Sequence, residues 1–440
     1  MKTIVIVGGG AGGLELATRL GHQYGKKSKG ASDQQVNIIL VDKNRSHIWK
    51  PLLHEIATGS LDINTDGVVY RAHSSLHYYQ FQQGTMIGVD RENKTILLNA
   101  LDDNEGKEIL PQREIQYDML VMAVGSVSND FGTPGVAEHC YYLDSHLQAE
   151  RFHQSMLNHF LRINQQPDNP DAEQGVLKLA IVGGGATGVE LAAELYHVAD
   201  LLKVYGMPKM SAKRLKIALI EAGPRLLPAL PDRIAMTVRR ELQKLGVEIL
   251  ENTRVIAADA EGFETAEQQR ISADITVWAA GVKAPDFIKS IDMFETNRIG
   301  QIIVKPSLQS SVDDSIYVIG DCCACEQPDG SWVPPRAQSA HQMADLVRKN
   351  IKLQLKQKPL QDYIYKDHGS LVNLSKYSTV GSLMGNLNKG TMFIEGRLAR
   401  FVYISLYRMH QIAIHGWLRA SAVMLAQKIA NSVKPKMKLH

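Results

Sequence analysis

Cysteine is scarce in this chain, with 4 among 440 residues, and three of them are bunched at Cys322, Cys323 and Cys325. So few cannot staple a chain of this length, which excludes a disulfide-built scaffold and predicts a reducing compartment. The bunched trio lacks the paired spacing and nearby fourth ligand of a zinc site, so no metal centre is expected. Acidic residues are missing from the end of the chain. From Arg397 onward stand Arg397, Arg400, Arg408, Arg419, Lys428, Lys434, Lys436 and Lys438, with no Asp or Glu. The whole chain carries +3, so this tail of +8 leaves a body of −5. An acidic body with a basic end points to an anionic surface as partner. The tail also lacks a run of ~18 apolar residues, because its arginines recur too often, so it cannot span a bilayer. No recognisable nucleic-acid-binding fold accompanies the positive charge, and nucleic acid is set aside as a partner.

What remains is ordinary globular composition, 44% apolar and 22% charged, in a chain long enough for two or three domains. The organising stretch is Leu179–Glu194. An apolar run, Leu179–Val182, stops at Gly183, Gly185 and Gly188, and helix-periodic Leu191, Ala192 and Leu195 follow. The order is strand, glycine turn, helix. Gly183 permits the tight turn, Gly185 lets the backbone approach a pyrophosphate, and Gly188 allows close helix–strand packing. The motif has a twin: Thr3–Val7 is followed by Gly8, Gly10 and Gly13, then by Leu14, Leu16, Ala17 and Leu20. Because Thr3–Val7 ends in glycines with no small-residue cleavage site after it, it reads as a first strand rather than a signal peptide. Two dinucleotides are therefore expected.

An acidic residue at the tip of the second strand is where the ribose hydroxyls of a dinucleotide fall. Val36–Val41 ends at Asp42, and Leu215–Ile220 ends at Glu221. Asp42 lies further from Gly13 than the usual ~20 residues, and a polar insertion from His22 to Gln35 accounts for the excess. A solvated strand-end aspartate is the alternative. A carboxylate at Glu221 would repel a 2′-phosphate by about 4 kcal/mol at ~4 Å and an effective dielectric of ~20, predicting NADH over NADPH. Arg225 stands close enough to blur that preference unless Pro224 turns it elsewhere. Pro231-Asp232 starts a helix with Ile234, Ala235, Val238, Leu242 and Leu245 inward, and Gly246 can end it. Ile275–Trp278 closes on Gly281.

Other strands end in small residues: Met119–Val124 at Gly125, and Ser315–Ile319 at Gly320-Asp321. Asp321 could cap a helix or hydrogen-bond a cofactor's polyol. Asp144 can cap a helix carrying Leu147, Phe152, Met156 and Phe160. Gln165–Asp171 is the clearest linker. Gln338 and Gln342, four apart, share a helix face that could be solvated surface, and His341 beside them reads as structural. Tyr377–Gly381 and Met392–Glu395 alternate like antiparallel strands. Leu398–Val433 is amphipathic and helical, with Phe401, Val402, Ile404, Leu406, Ile412, Ile414, Trp417 and Leu418 supplying apolar area. It can lie in a membrane interface with Tyr403, Tyr407 and Trp417 at headgroup level. A helix pair joining two copies of the chain stays open beside that reading.

The glycine motifs, the Gly125 strand and the Gly320-Asp321 strand together resemble the flavoproteins with two dinucleotide-binding domains, over residues 1 to about 345. The disulfide reductases of that group carry a redox cysteine pair shortly after the first motif. Here that region holds Lys50–Glu55 and no cysteine. Trp49-Lys50-Pro51-Leu52-Leu53-His54-Glu55, Ala123-Val124-Gly125-Ser126, Gly320-Asp321-Cys322-Cys323-Ala324, Ala337-Gln338-x-Ala340-x-Gln342 and Ser405–His410 are similar to signatures of the type II NADH dehydrogenases. The resemblance implies an α/β fold of two Rossmann-like domains plus a C-terminal α+β membrane-associating region. It places an FAD-binding domain over 1–165 with a return segment at 286–345, an NADH-binding domain over 166–285, and a C-terminal region over 346–440. FAD would be held, non-covalently, by Gly8, Gly10, Gly13, Asp42, Lys50, Gly125, Gly320 and Asp321. NADH would be held by Gly183, Gly185, Gly188, Glu221 and Gly281.

Gln338 and Gln342 would flank the flavin on the quinone side. Glu190, two residues past Gly188, would relay protons or charge between the NADH and quinone sites, or else be a first-turn carboxylate favoured by the helix dipole. The implied activity is NADH:quinone oxidoreduction at the cytoplasmic face of the inner membrane, without proton pumping. Three rivals stand against it. A soluble flavin reductase gains nothing from the basic tail, and a sulfide:quinone oxidoreductase needs well-placed cysteines. A flavoprotein that merely switches partners on binding NADH would bleach without passing electrons to quinone.

Overall fold

The computed structural model describes residues 1–25, 36–62, 67–165, 175–375, 378–384, 391–433 and 437. They form two compact units: Met1–Trp49, Gly67–Val127 and Val282–Asp367 make the first, and Lys50–Asp66, Ser128–Gly281 and His368–His440 the second. These limits differ from the blocks drawn on the sequence. Residues 128–165 and 368–440 group with the second motif, and the first unit runs on to Asp367. Beyond Gln165 the expected linker lies outside the described residues.

The first unit is built on a five-stranded parallel sheet in the spatial order Ile316–Val318, Met119–Met122, Lys2–Val7, Val36–Asp42, Gln80–Gln83. Its central strand is the first apolar run, buried from Ile4 to Val7, as a strand covered on both faces must be. The helix Ala11–Leu20 follows directly and packs against the long helix Ala337–Leu355.

The second unit repeats the plan with four parallel strands, Glu248–Leu250, Leu215–Ile220, Leu177–Val182 and Ile275–Trp278. Its motif helix, Ala186–Leu202, is apolar nearly all round and is buried accordingly. The helix Asp232–Leu245 buries Ile234, Ala235, Val238 and Leu242 and stops at Gly246, whose φ of 98° few other residues would accept. Phe152, Met156 and Phe160 are buried on the helix His146–Gln165, while Leu147 is exposed. The cap of that helix is not Asp144. Ser145 Oγ accepts the Gln148 N–H at 3.3 Å, and Gln148 Oε1 reaches back to the Asp144 and Ser145 N–H groups.

The C-terminal part is α+β, as expected. Gly369–Leu374, Ser378–Met384 and Thr391–Glu395 form an antiparallel sheet, and the helices Gly396–His415 and Trp417–Val433 follow. The amphipathic stretch is two helices, separated at Gly416 with φ 76°. Ile412, Trp417 and Leu418 are exposed together with Met409, Leu425 and Ile429, but Ile414 is buried. The side chains of Phe401, Val402, Tyr403, Ile404 and Leu406 lie outside the described residues, as does Tyr377. Among the described residues no helix is long and apolar enough to cross a membrane.

Candidate functional site

In the first unit the glycine turn is fixed by contact. Gly8 has φ 105°, and a Cβ there would sit 2.2 Å from the Ala123 carbonyl oxygen; one at Gly13 would sit 1.9 Å from that of Gly8. Gly10 faces open space at the N-terminus of Ala11–Leu20. Asp42 accepts the Gly9 N–H at 2.6 Å and the Asn44 N–H at 2.7 Å, so the strand tip and the turn are tied together. Burial nevertheless pushes its carboxyl above the usual aspartate range. The Gly9 carbonyl in turn accepts the Tyr70 hydroxyl at 2.7 Å and pairs with His47 Nδ1 at 2.9 Å, two residues that sequence reasoning missed. Gly125 follows one neighbouring strand and Gly320-Asp321 the next, with the Ser126 hydroxyl donating to Asp321 at 2.8 Å. The buried thiols of Cys322 and Cys325 are pushed up to about 12 and about 11, the setting of packed thiols rather than thiolates.

The second unit repeats the turn almost atom for atom. Gly183 has φ 115°, a Cβ on Gly188 would meet the Gly183 carbonyl at 2.1 Å, and Gly185 faces open space. Glu221 accepts the N–H groups of Gly184 and Gly223, each at 2.7 Å. Arg225 is turned away from it: the guanidinium bonds the Pro228 carbonyl at 3.0 Å and lies 3.3 Å from Asp232. Gly281 ends the chain segment after Trp278, whose indole N–H donates to the Asn129 carbonyl at 2.9 Å. Lys50 also belongs to this unit, where its Nζ lies 3.5 Å from Asp144.

Glu190 is buried on the motif helix. Its Oε1 accepts the Asn373 N–H at 3.0 Å, and its Oε2 lies 3.7 Å from His54 Nδ1. One turn on, buried Glu194 accepts the Ser60 hydroxyl at 2.5 Å. Burial, with the charges of Glu55 and Glu194 adding and the Asn373 N–H opposing, pushes the Glu190 carboxyl up to about 8. The same burial holds the His54 imidazole below its usual range. At neutral pH Glu190 is therefore a protonated acid beside a neutral imidazole. Ser60, Glu194 and Asn373 were given no role from the sequence and His54 stood only within the Trp49–Glu55 signature, although the spacing of Glu190 and Glu194 on an otherwise apolar helix face was there to see.

Gln338 and Gln342 do share a face of Ala337–Leu355, and it is not idle surface. Gln338 donates to Asp367 at 3.3 Å; Gln342 donates to the Lys366 carbonyl at 2.7 Å and accepts the Lys366 N–H at 3.0 Å. His341 pairs with buried Glu15, the structural part expected of it.

Residues 2–344 match the pyridine nucleotide-disulphide oxidoreductase family. A type II NADH:quinone oxidoreductase of Haemophilus influenzae is 45% identical over 450 residues that cover 100% of both chains. The chain belongs to the type II NADH:quinone oxidoreductases. A Staphylococcus aureus protein of that name is 29% identical over 395 residues, covering 87% of this chain and 90% of its own. The fold matches that of NDH2 from Plasmodium falciparum, solved with NADH, at a TM-score of 0.81 and 19% identity over 99% of this chain and 100% of the other. The sulfide:quinone oxidoreductase of Aquifex aeolicus shares the fold at a TM-score of 0.71 and 17% identity, over 99% and 96% of the two chains. Membership in the type II family, with a Rossmann-like sheet in each unit, implies that the chain binds dinucleotides.

Proposed function

We propose that this type II NADH:quinone oxidoreductase binds FAD at the turn of Gly8, Gly10 and Gly13 and NADH at the turn of Gly183, Gly185 and Gly188. The observation that carries the reading is the pair of open cradles: nothing lies within 4 Å of a Cβ built at Gly10 or at Gly185, each beside a helix N-terminus suited to a pyrophosphate. Bound FAD supplies a ring that takes up a hydride and passes electrons on in pairs.

The protein binds, orients and manages protons. Asp42 and Glu221, held by turn N–H groups, present carboxylate oxygens to ribose hydroxyls. With Arg225 drawn off to Pro228 and Asp232, Glu221 favours NADH. Ser126 fixes Asp321 toward the flavin's polyol, with Gly125 beside it in the first site and Gly281 in the second. Gln338 and Gln342, anchored to Lys366 and Asp367, line the approach of a quinone. Glu190 carries a proton for the reduction. The exposed Met409, Ile412, Trp417, Leu418, Leu425 and Ile429 seat the basic C-terminal helices on an anionic membrane surface, at the cytoplasmic face of the inner membrane.

Stopped-flow spectroscopy tests the reading. NADH bleaches the flavin, and a quinone added next restores its colour. Bleaching without recovery would leave only an NADH-responsive binding protein.

A further inference from the structure

The Glu190 cluster holds more groups than one proton carrier requires. Glu190 and Glu194 lie four residues apart on one helix face, 6% and 5% exposed, so two carboxyls share one dry region. The titratable groups facing Glu190 are Glu194 from its own helix and His54 and Glu55 from the helix Leu53–Ala57; the strand Gly369–Leu374 contributes the Asn373 N–H. Glu194 is served by the Ser60 hydroxyl, which lies 3.4 Å from Thr58 Oγ1 in turn. An oxygen that accepts a hydroxyl proton is suited to hold negative charge. Two carboxylates side by side in low dielectric do not both ionise readily.

We propose that His54 and Glu194 form a proton-holding pair behind Glu190, in which Glu194, beside Glu55, contributes negative charge to the cluster and His54 takes, and later returns, the proton that Glu190 yields. The inference rests on the reading of Glu190 as a proton carrier and adds where its proton goes. In the transfer the Glu190 O–H bond breaks and an N–H bond forms on the imidazole, across a separation of 3.7 Å between Oε2 and Nδ1 that must shorten for the proton to pass. The imidazolium produced is stabilised by the charge of Glu194, and the reverse step needs no other reactant. His54 touches the transferred proton; Glu194 is a positioning residue.

Infrared difference spectroscopy of the flavin-loaded full chain, titrated with alkali, reads the protonated carboxyl directly and without turnover. The wild type shows a carboxylic-acid carbonyl band that disappears near pH 8, and Glu190→Gln lacks it. Glu194→Gln, which keeps an acceptor for Ser60, lowers the midpoint by about one pH unit, and Glu194→Asp restores it. His54→Gln bleaches with NADH as the wild type does but recovers with quinone roughly 10-fold or more slowly, the usual scale for a lost proton-transfer group. An unmoved midpoint in Glu194→Gln, or wild-type recovery in His54→Gln with flavin content intact, overturns the proposal. Loss of the band in Glu190→Gln with quinone turnover unchanged would instead remove Glu190 from the reaction and leave the charge-holding role of Glu194 standing.

Discussion

Both motif helices carry a glutamate two residues past the third glycine, Glu15 in the first unit and Glu190 in the second, and both are buried. Four residues further on they part. The first helix has Arg19, 2.5 Å from Glu15 and 2.8 Å from Asp345; the second has Glu194. The first also receives His341 from the helix it packs against, so the Glu15 charge is met by a fixed cation and an imidazole. Glu190 is offered a second carboxylate and an imidazole that burial keeps neutral. A buried carboxyl can be settled by a counter-ion or by a proton, and one motif on one scaffold uses each solution once. The first choice locks two helices together. The second leaves a group whose proton can be moved near neutral pH, which suits a chain that oxidises NADH.

The widest break in the comparison comes from the open glycines. A Cβ built at Gly10 or Gly185 has no protein atom beyond its chain neighbours within 4 Å, so valine there should leave the fold intact while filling the space proposed for a pyrophosphate. Gly10→Val is expected to purify folded and without flavin. Gly185→Val should keep its flavin and lose NADH affinity by at least ~100-fold, or ~2.7 kcal/mol. Flavin-to-protein absorbance and NADH titration measure the two effects. Flavin loss in Gly185→Val with Gly10→Val unaffected would exchange the assignments.

The two buried glutamates separate next, by their pH dependence. Between pH 4.5 and about 8 the native chain holds a proton on Glu190 that the unfolded chain has released. Stability contributed by this group is therefore full below about 4.5 and falls as pH rises to about 8, by up to a few kcal/mol. Glu190→Gln cannot pay that cost, so its thermal midpoint should gain on the wild type from pH 5 to pH 8 and stay level above. Glu15→Gln leaves half-buried Arg19 and His341 without their carboxylate and should be destabilised by ~1–3 kcal/mol at neutral pH. Melting curves across pH check both, and a Glu190→Gln difference that stays constant would break the contrast.

The parallel units were legible because their signals are local: a strand, a spaced glycine turn and a helix occupy about twenty consecutive residues, and each acidic strand tip follows within one further strand. The antiparallel sheet and the amphipathic tail were legible for the same reason. What escaped was made by residues distant in sequence. Nothing near Glu190 announces that His54 and Asn373, one from each end of the chain, converge on it. Gln342 was placed on the right helix face, but its bond to Lys366 depends on a segment with no periodicity. The stretch 128–165 groups with the second motif through contacts that no local composition announces. Ser145 took the cap expected of Asp144 because Asp144 is engaged by Ser128 and Lys50.

The finest difference between the units lies at their acidic strand tips. Asp42 and Glu221 make the same bond to the middle glycine of the turn, yet only Glu221 has an arginine four residues on, drawn away by Pro228 and Asp232. If Glu221 selects against a 2′-phosphate by charge, Glu221→Gln keeps the hydrogen bond to Gly184 and loses the repulsion. The Coulomb figure of ~4 kcal/mol is a ceiling that screening reduces, so the NADPH-to-NADH ratio of kcat/KM should rise roughly 10- to 100-fold. Adding Asp232→Ala should raise it a few-fold more by freeing Arg225. Asp42→Asn should leave that ratio unchanged and weaken flavin retention instead. Should Asp42→Asn alter the coenzyme ratio while Glu221→Gln does not, the pairing of each acid with its own dinucleotide is reversed.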